Sequence, residues 1–145
     1  MTQLLENRII WTALLAWLVA QVLKVITDLI KGKHLNVRRF VGAGGMPSSH
    51  SSMVTALCTA VALNEGLGST MFAVSAVLAV IVMYDAAGVR RETGIQAKML
   101  NWMAENWHEG DAIRYEKKLK EFVGHTPLEV LAGAILGVLI GFIVQ

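Results

Sequence analysis

Residues 44–51 read Gly-Gly-Met-Pro-Ser-Ser-His-Ser and open directly into an apolar run, Met53 to Leu63. Hydroxyl and imidazole side chains at the head of a helix can hold a phosphate and move a proton. The pattern predicts a helix beginning near Pro47, because proline is pre-shaped for a first helical position and gives up no hydrogen bond there. The N–H groups of such a first turn, with the positive end of the helix dipole, make an anion site. Ser48 and Ser49 add hydroxyl donors to it, and His50 adds a proton.

A second histidine stands in a similar place. His125 precedes another apolar run and is followed four residues later by Glu129. Residues i and i+4 share a helix face. The carboxylate can accept a proton from one ring nitrogen and hold the other toward a substrate, as in nucleophile–base–carboxylate arrays. The plain alternative is a first-turn glutamate serving the helix dipole.

Cations complete the set. Arg90 and Arg91 follow Asp85 by five and six residues, and guanidinium forks suit phosphate oxygens. Adjacent helical residues point about 100° apart, so one of the two arginines faces a site. Ordinary loop charge explains them as readily. Lys24 lies inside the first apolar segment, with Asp28 four residues on and able to pair with it. His34 and His108 sit in polar or amphipathic stretches and carry no such pattern. No Cys/His cluster has zinc spacing, and no carboxylate pair suggests magnesium. Gly42-Ala43-Gly44-Gly45 lacks the lysine and strand of a nucleotide loop. The expectation is therefore no metal and no cofactor.

The elements that must position these residues are membrane helices. Of 145 residues, 54% are hydrophobic, against about 45–50% in a soluble protein even counting glycine. The excess sits in Ile9 to Ile30, Gly68 to Ala87 and Pro127 to Val144, each near the roughly 20 residues a membrane span needs. Pro47 to Leu63 is shorter, with a polar first turn. The expected fold is all-α: one integral membrane domain over 1–145, a polytopic bundle of about four membrane helices with amphipathic helices in the 88–124 loop. The first segment exceeds the length of a signal-peptide core and lacks a small-residue cleavage site, so it reads as a retained helix. The lone Cys58 allows no internal disulfide, and a net charge of +2 gives no reason to expect nucleic acid.

Eleven of the thirteen basic residues fall in the 31–46 and 88–124 segments. Four spans put both segments on one side, which the positive-inside bias makes cytoplasmic, with both termini outside. The same arrangement gathers Lys24, Ser48, Ser49, His50, Asp85, Arg90, Arg91, His125 and Glu129 at one membrane depth. Charges inside a membrane usually face a protein interior or water, so the convergence points to a site, against a reading of separate caps and snorkelling side chains.

Two further patterns bear on packing. Ile95, Met99, Trp102 and Met103 follow i, i+4, i+7, i+8, the apolar stripe of an amphipathic helix. Tyr115, Leu119, Phe122 and Val123 repeat it. Both helices are expected on the cytoplasmic surface, with Trp102 and Trp107 at headgroup level. Gly133, Gly137 and Gly141 recur every four residues and permit close helix approach, either within the bundle or in a homodimer.

Met46-Pro47-Ser48-Ser49-His50-Ser51, Tyr84-Asp85-Ala86-Ala87-Gly88-Val89-Arg90-Arg91 and Gly124-His125-Thr126-Pro127-Leu128-Glu129 together resemble the divergent family related to acid phosphatases and vanadium-dependent haloperoxidases. Ala20 to Lys24 also fits its first helix, so the likeness covers nearly the whole chain. The wider superfamily of type 2 phosphatidic acid phosphatases carries Pro-Ser-Gly-His, which Pro47 to His50 resembles with Ser49 in place of glycine. Its last motif ends His-x-x-x-Asp, which His125 to Glu129 resembles with glutamate for aspartate.

The resemblance implies a mechanism. His125 attacks phosphorus and forms a phosphohistidine, Glu129 orients it, and His50 protonates the leaving oxygen. Lys24, Ser48, Ser49 and Arg90 or Arg91 hold the phosphoryl oxygens, with Asp85 in support and no metal required. The departures are equally definite. The superfamily has an arginine six residues before the nucleophilic histidine, where this chain has Leu119. Lys31 and Arg38 keep the spacing of the first motif, but Arg39 stands where its proline belongs. The superfamily's lipid phosphatases work on the outer face, whereas the charge distribution places this site inside.

Three functional classes follow. The first is a membrane phosphatase for a lipid or isoprenoid phosphate, in the plasma membrane of a bacterium, with the site facing the cytoplasm. The second is a phosphate-headgroup binder or transporter without hydrolysis. The third is a structural bundle with a polar entrance. The expected partners are a phosphate-bearing lipid or small-molecule substrate and the surrounding membrane lipids.

Overall fold

The computed structural model describes residues 5–30, 45–106, 119 and 124–145. Among the described residues five helices follow in order: α1 (Arg8–Ile30), α2 (Ser49–Glu65), α3 (Thr70–Ala87), α4 (Val89–Asn106) and α5 (Pro127–Val144). There is no strand among the described residues. Among the described residues three helical stretches are long and apolar enough to cross a membrane: α1, the stretch Thr70–Glu105 that contains α3, and α5. The second amphipathic segment, Tyr115 to Val123, lies outside the described residues apart from Leu119.

α2 is the centre of the bundle and packs against α1, α3 and α5. Its 17 residues rise about 26 Å. Its polarity follows from this position. The hydroxyls of Ser51, Ser52 and Thr55 are buried, so three neighbouring helices stand between them and lipid. Each finds a partner inside the protein. Ser52 Oγ donates to the Ala16 carbonyl of α1 at 3.1 Å. Thr55 Oγ1 lies 2.8 Å from the Ser51 carbonyl and 3.0 Å from the Ala134 carbonyl of α5. Unsatisfied polar groups cost several kcal/mol each in hydrocarbon, so these bonds are a condition of placing such a helix here.

The core is built from small residues. Ala16, Ala20, Ala56 and Ala60 are fully buried, whereas Trp11, Leu18, Val77, Ile81, Leu131 and Phe142 are exposed on the outside of the bundle. That inversion suits a protein whose solvent is lipid, where close backbone approach and hydrogen bonds replace the hydrophobic drive between helices. The glycine stripe of α5 is the clearest case. A Cβ on Gly137 would stand 2.1 Å from both the Ser52 carbonyl and Thr55 Oγ1, and one on Gly133 would stand 2.3 Å from the Ser48 carbonyl. The stripe serves the α2–α5 contact, and that contact occupies the face a glycine-mediated dimer would use.

Polar side chains tie the two ends of the bundle differently. At one end the Gln145 amide donates to Thr12 Oγ1 at 2.8 Å and accepts from the Asn64 amide at 2.6 Å. That links the start of α1 with the ends of α2 and α5. The end of α1, the start of α2, the end of α3 and the start of α5 therefore meet at the opposite end.

α4 follows α3 after a break at Gly88. Its predicted stripe is real but faces outward: Ile95, Met99, Trp102 and Met103 are all exposed. The covered positions are Gly94, Ala97 and Asn101.

Candidate functional site

Four backbone and side-chain links close the polar end. Thr27 Oγ1 of α1 lies 2.8 Å from the Met46 carbonyl. The Ser48 N–H donates to the Glu129 carbonyl at 3.0 Å, and the His125 N–H donates to the Ala86 carbonyl at 3.0 Å. Gly133 lies tight against Ser48. The starts of α2 and α5 are thus joined directly, and the end of α3 is joined to the residue that precedes α5.

α2 begins two residues later than proline chemistry alone suggests. Ser48 is the N-cap, its side chain accepting from the Ser51 N–H, and the helix runs from Ser49. Pro47 therefore precedes the cap and does not occupy the first turn, so the anion-site expectation transfers from Pro47 to the cap. A hydroxyl cap competes well for this position. Ser48 Oγ also lies 3.0 Å from Ser51 Oγ. With the Ser51 N–H engaged, the amides of Ser49 and His50 are the leading donors of the helix. Ser48 and Ser49 are both buried.

α5 starts with a capping box. Thr126 Oγ1 accepts from the Glu129 N–H at 3.3 Å, and Glu129 Oε2 accepts from the Thr126 N–H at 2.9 Å. Proline does occupy the first turn here, as Pro127. The same Glu129 oxygen lies 3.3 Å from His125 Nδ1. One carboxylate thus caps the helix and contacts the imidazole, so both contacts that the spacing allowed are made through the same oxygen.

That contact sets the chemistry of His125. A carboxylate accepts and does not donate, so Nδ1 carries the hydrogen and Nε2 keeps its lone pair. Nε2 is buried and has no hydrogen-bond partner among the described residues. The residue is 2% exposed. Burial, the largest influence, pushes the imidazole below its ordinary value of 6.5; the Glu129 carboxylate pulls it back up, and the Lys24 and Arg90 cations push it down. The net effect favours the neutral ring.

His50 stands against this ring. The two centroids are 6.4 Å apart and the planes inclined by 61°. Lys24, Arg90 and Asp85 are within electrostatic reach of His50. Lys24 is 2% exposed. Its stem lies against Gly45, which has φ +94° and whose Cβ would come within 3.2 Å of Lys24 Cγ. A side chain at Gly45 would crowd that lysine. Arg90 Nε donates to Asp85 Oδ2 at 2.7 Å, so Asp85 orients the guanidinium. Arg90 is the arginine whose charge acts on both imidazoles. Arg91 is exposed, and its backbone packs against Gly124, whose Cβ would stand 2.3 Å from Arg91 N.

The structure brings His50, His125, Glu129, Ser48, Ser49, Lys24, Asp85 and Arg90 to one end of the bundle; Arg91 lies at the same end through its backbone contact with Gly124, and both arginines are exposed. Among the described residues no cluster of three or more His, Cys, Asp or Glu side chains suits a metal ion. Leu119 is 43% exposed. Its backbone is gripped by Asn101: the Asn101 amide donates to the Leu119 carbonyl, and the Leu119 N–H donates to Asn101 Oδ1, each at 3.0 Å. Asn101 gave no sequence signal, since a lone asparagine in an amphipathic helix reads as a solvated position. His34, His108, Lys31, Arg38 and Arg39 lie outside the described residues.

Residues 5–140 match a family model described as the divergent PAP2 family. The chain is 43% identical over 148 residues to YuiD, an uncharacterized membrane protein of Bacillus subtilis (strain 168), covering 95% of this chain and 94% of that protein. No solved structure matches.

Proposed function

Because this chain belongs to the divergent PAP2 family and is an integral membrane helix bundle, we propose that it is a metal-independent phosphatase. Its substrate is a phosphomonoester or pyrophosphate of a lipid or isoprenoid. The observation that carries the reading is His125: buried, held at Nδ1 by Glu129, with Nε2 unpartnered among the described residues and the His50 ring beside it.

In this reading His125 Nε2 attacks phosphorus as the bond to the leaving oxygen breaks. His50 gives that oxygen its proton. The phosphohistidine then yields to water: His50 takes a proton from the water, inorganic phosphate leaves, and Nε2 recovers its lone pair. Lys24, the first-turn donors of α2, and Arg90 neutralise the phosphoryl oxygens throughout. Preorganised donors of this kind commonly supply the largest share of a rate enhancement. Arg90 takes the part that an arginine at position 119 plays elsewhere in the superfamily, reaching the site from α4.

The charge distribution supports a cytoplasmic site in a bacterial plasma membrane, acting on an inner-leaflet or soluble phosphate. A reporter fused after Gln145 is then expected outside the cytoplasm, and a cytoplasmic reporter reverses the topology. The test of activity is release of inorganic phosphate by purified protein across soluble, lipid and isoprenoid phosphates. Release is inhibited by vanadate and lost in His125→Ala.

One observation favours a second reading. Leu119 offers no cation where the superfamily has its arginine, which suits a phosphate-headgroup binder or transporter without turnover. Flux in proteoliposomes that survives His125→Ala, with no phosphate released by the parent, selects that reading.

A further inference from the structure

We propose that Asn101 is a positioning residue for His125, acting by fixing the backbone of Leu119 on the approach to α5. An asparagine amide offers one donor edge and one acceptor edge, which match the C=O and N–H of a single residue. Asn101 makes both bonds to Leu119, each at 3.0 Å, and is itself only 9% exposed. The Leu119 side chain takes no part, being 43% exposed. What is held at position 119 is the chain, whatever its side chain.

The second hold lies ten residues back along α4, about 15 Å by helix rise. There Gly124 meets the backbone of Arg90 and Arg91 so closely that a Cβ would stand 2.3 Å from Arg91 N. The next residue, His125, donates its N–H to the Ala86 carbonyl of α3. α4 therefore contributes twice: Arg90 as a charge beside the imidazoles, and Asn101 as a hold on the backbone of Leu119, six residues before His125. A nucleophile misplaced by about 1 Å can lose on the order of a hundredfold in rate, so an anchor with no substrate contact can still govern turnover.

The test uses the full-length protein in detergent with Asn101→Leu, which removes both bonds at similar volume, and Asn101→Asp, which keeps the acceptor for the Leu119 N–H. Asn64→Leu is the control for general destabilisation, since Asn64 bonds at the opposite end of the bundle. The first readout is modification of His125 by diethylpyrocarbonate, followed by mass spectrometry of the peptide that carries it. Asn101→Leu is expected to raise the rate by about fivefold or more through local opening, Asn101→Asp by less, and Asn64→Leu not at all. The second readout, which rests on the phosphatase reading, is kinetic: kcat falls by about tenfold or more in Asn101→Leu while KM stays within about twofold. Parental His125 reactivity in both Asn101 variants overturns the proposal, as does an equal rise in Asn64→Leu. If the parent releases no phosphate, the phosphatase reading fails, and the modification rates still decide the role of Asn101.

Discussion

The imidazoles of His50 and His125 meet edge to face with centroids 6.4 Å apart, although 74 residues separate them in the chain. They are brought together by the starts of α2 and α5, joined through the Ser48 N–H and the Glu129 carbonyl. In the phosphatase reading the pair divides the labour: His125 presents the Nε2 lone pair as nucleophile, and His50 passes the proton to the leaving oxygen.

That division predicts different substrate dependence for the two histidines. His125→Ala abolishes turnover of every substrate, by about 10⁴-fold or more, as loss of a nucleophile does. His50→Ala slows alkyl phosphates by about 10²–10⁴-fold and spares an aryl phosphate whose leaving group needs no proton. Steady-state rates on an alkyl and a nitrophenyl phosphate separate the two. Equal losses on both substrates in His50→Ala remove it as the acid.

Glu129 performs two tasks through one oxygen, and substitution can part them. Glutamine preserves the capping box but takes the charge from His125. Glu129→Gln is therefore expected to keep its thermal stability and to lose activity by on the order of 10²-fold. Glu129→Ala loses the cap as well, at about 1 kcal/mol. Thermal unfolding and phosphate release measured on both variants give the comparison.

The α2–α5 contact sets the level at which both histidines sit. Gly137→Ala places a methyl 2.1 Å from the Ser52 carbonyl and is expected to destabilise by about 1–3 kcal/mol. Gly68→Ala meets nothing within 4 Å and is expected within about 0.5 kcal/mol of the parent. Thermal shift in detergent checks both. Parental stability in Gly137→Ala contradicts the close crossing.

The burial of His125 predicts a pH dependence with a definite sign. The folded protein holds this imidazole below its ordinary 6.5, so on acidification the unfolded chain takes up the proton first. Its contribution to stability is full above 6.5 and is lost as pH falls through the folded-state value. Stability then declines below pH 6.5, and less steeply in His125→Gln. The acid limb of kcat/KM, which reports the neutral nucleophile, lies below 6.5 as well.

Much of this arrangement is legible in the sequence because membrane helices write themselves as long apolar runs. α1, α3 and α5 lie where those runs predict. α2 is legible for another reason, its proline and histidine, since its serines and threonines lower its hydropathy and only the surrounding helices explain why they are tolerated. The glycine spacing of α5 announces a close approach but not its partner, because 133, 137 and 141 suit any small-residue surface. The stripe of α4 is a true periodicity whose direction hydropathy cannot assign: in a membrane protein the apolar face turns outward, and the covered Gly94, Ala97 and Asn101 carry no apolar signal. Asn101 was invisible for that reason, and the two arginines could be told apart only once Asp85 and Gly124 were in place.

The most direct test of the account is to trap the phosphoenzyme. Protein mixed with a turned-over phosphate ester, quenched in alkali and digested, is expected to carry a phosphoryl group on His125 and to lose it in His125→Ala. A phosphoryl group on another residue, or phosphate release at the parental rate by His125→Ala, contradicts it.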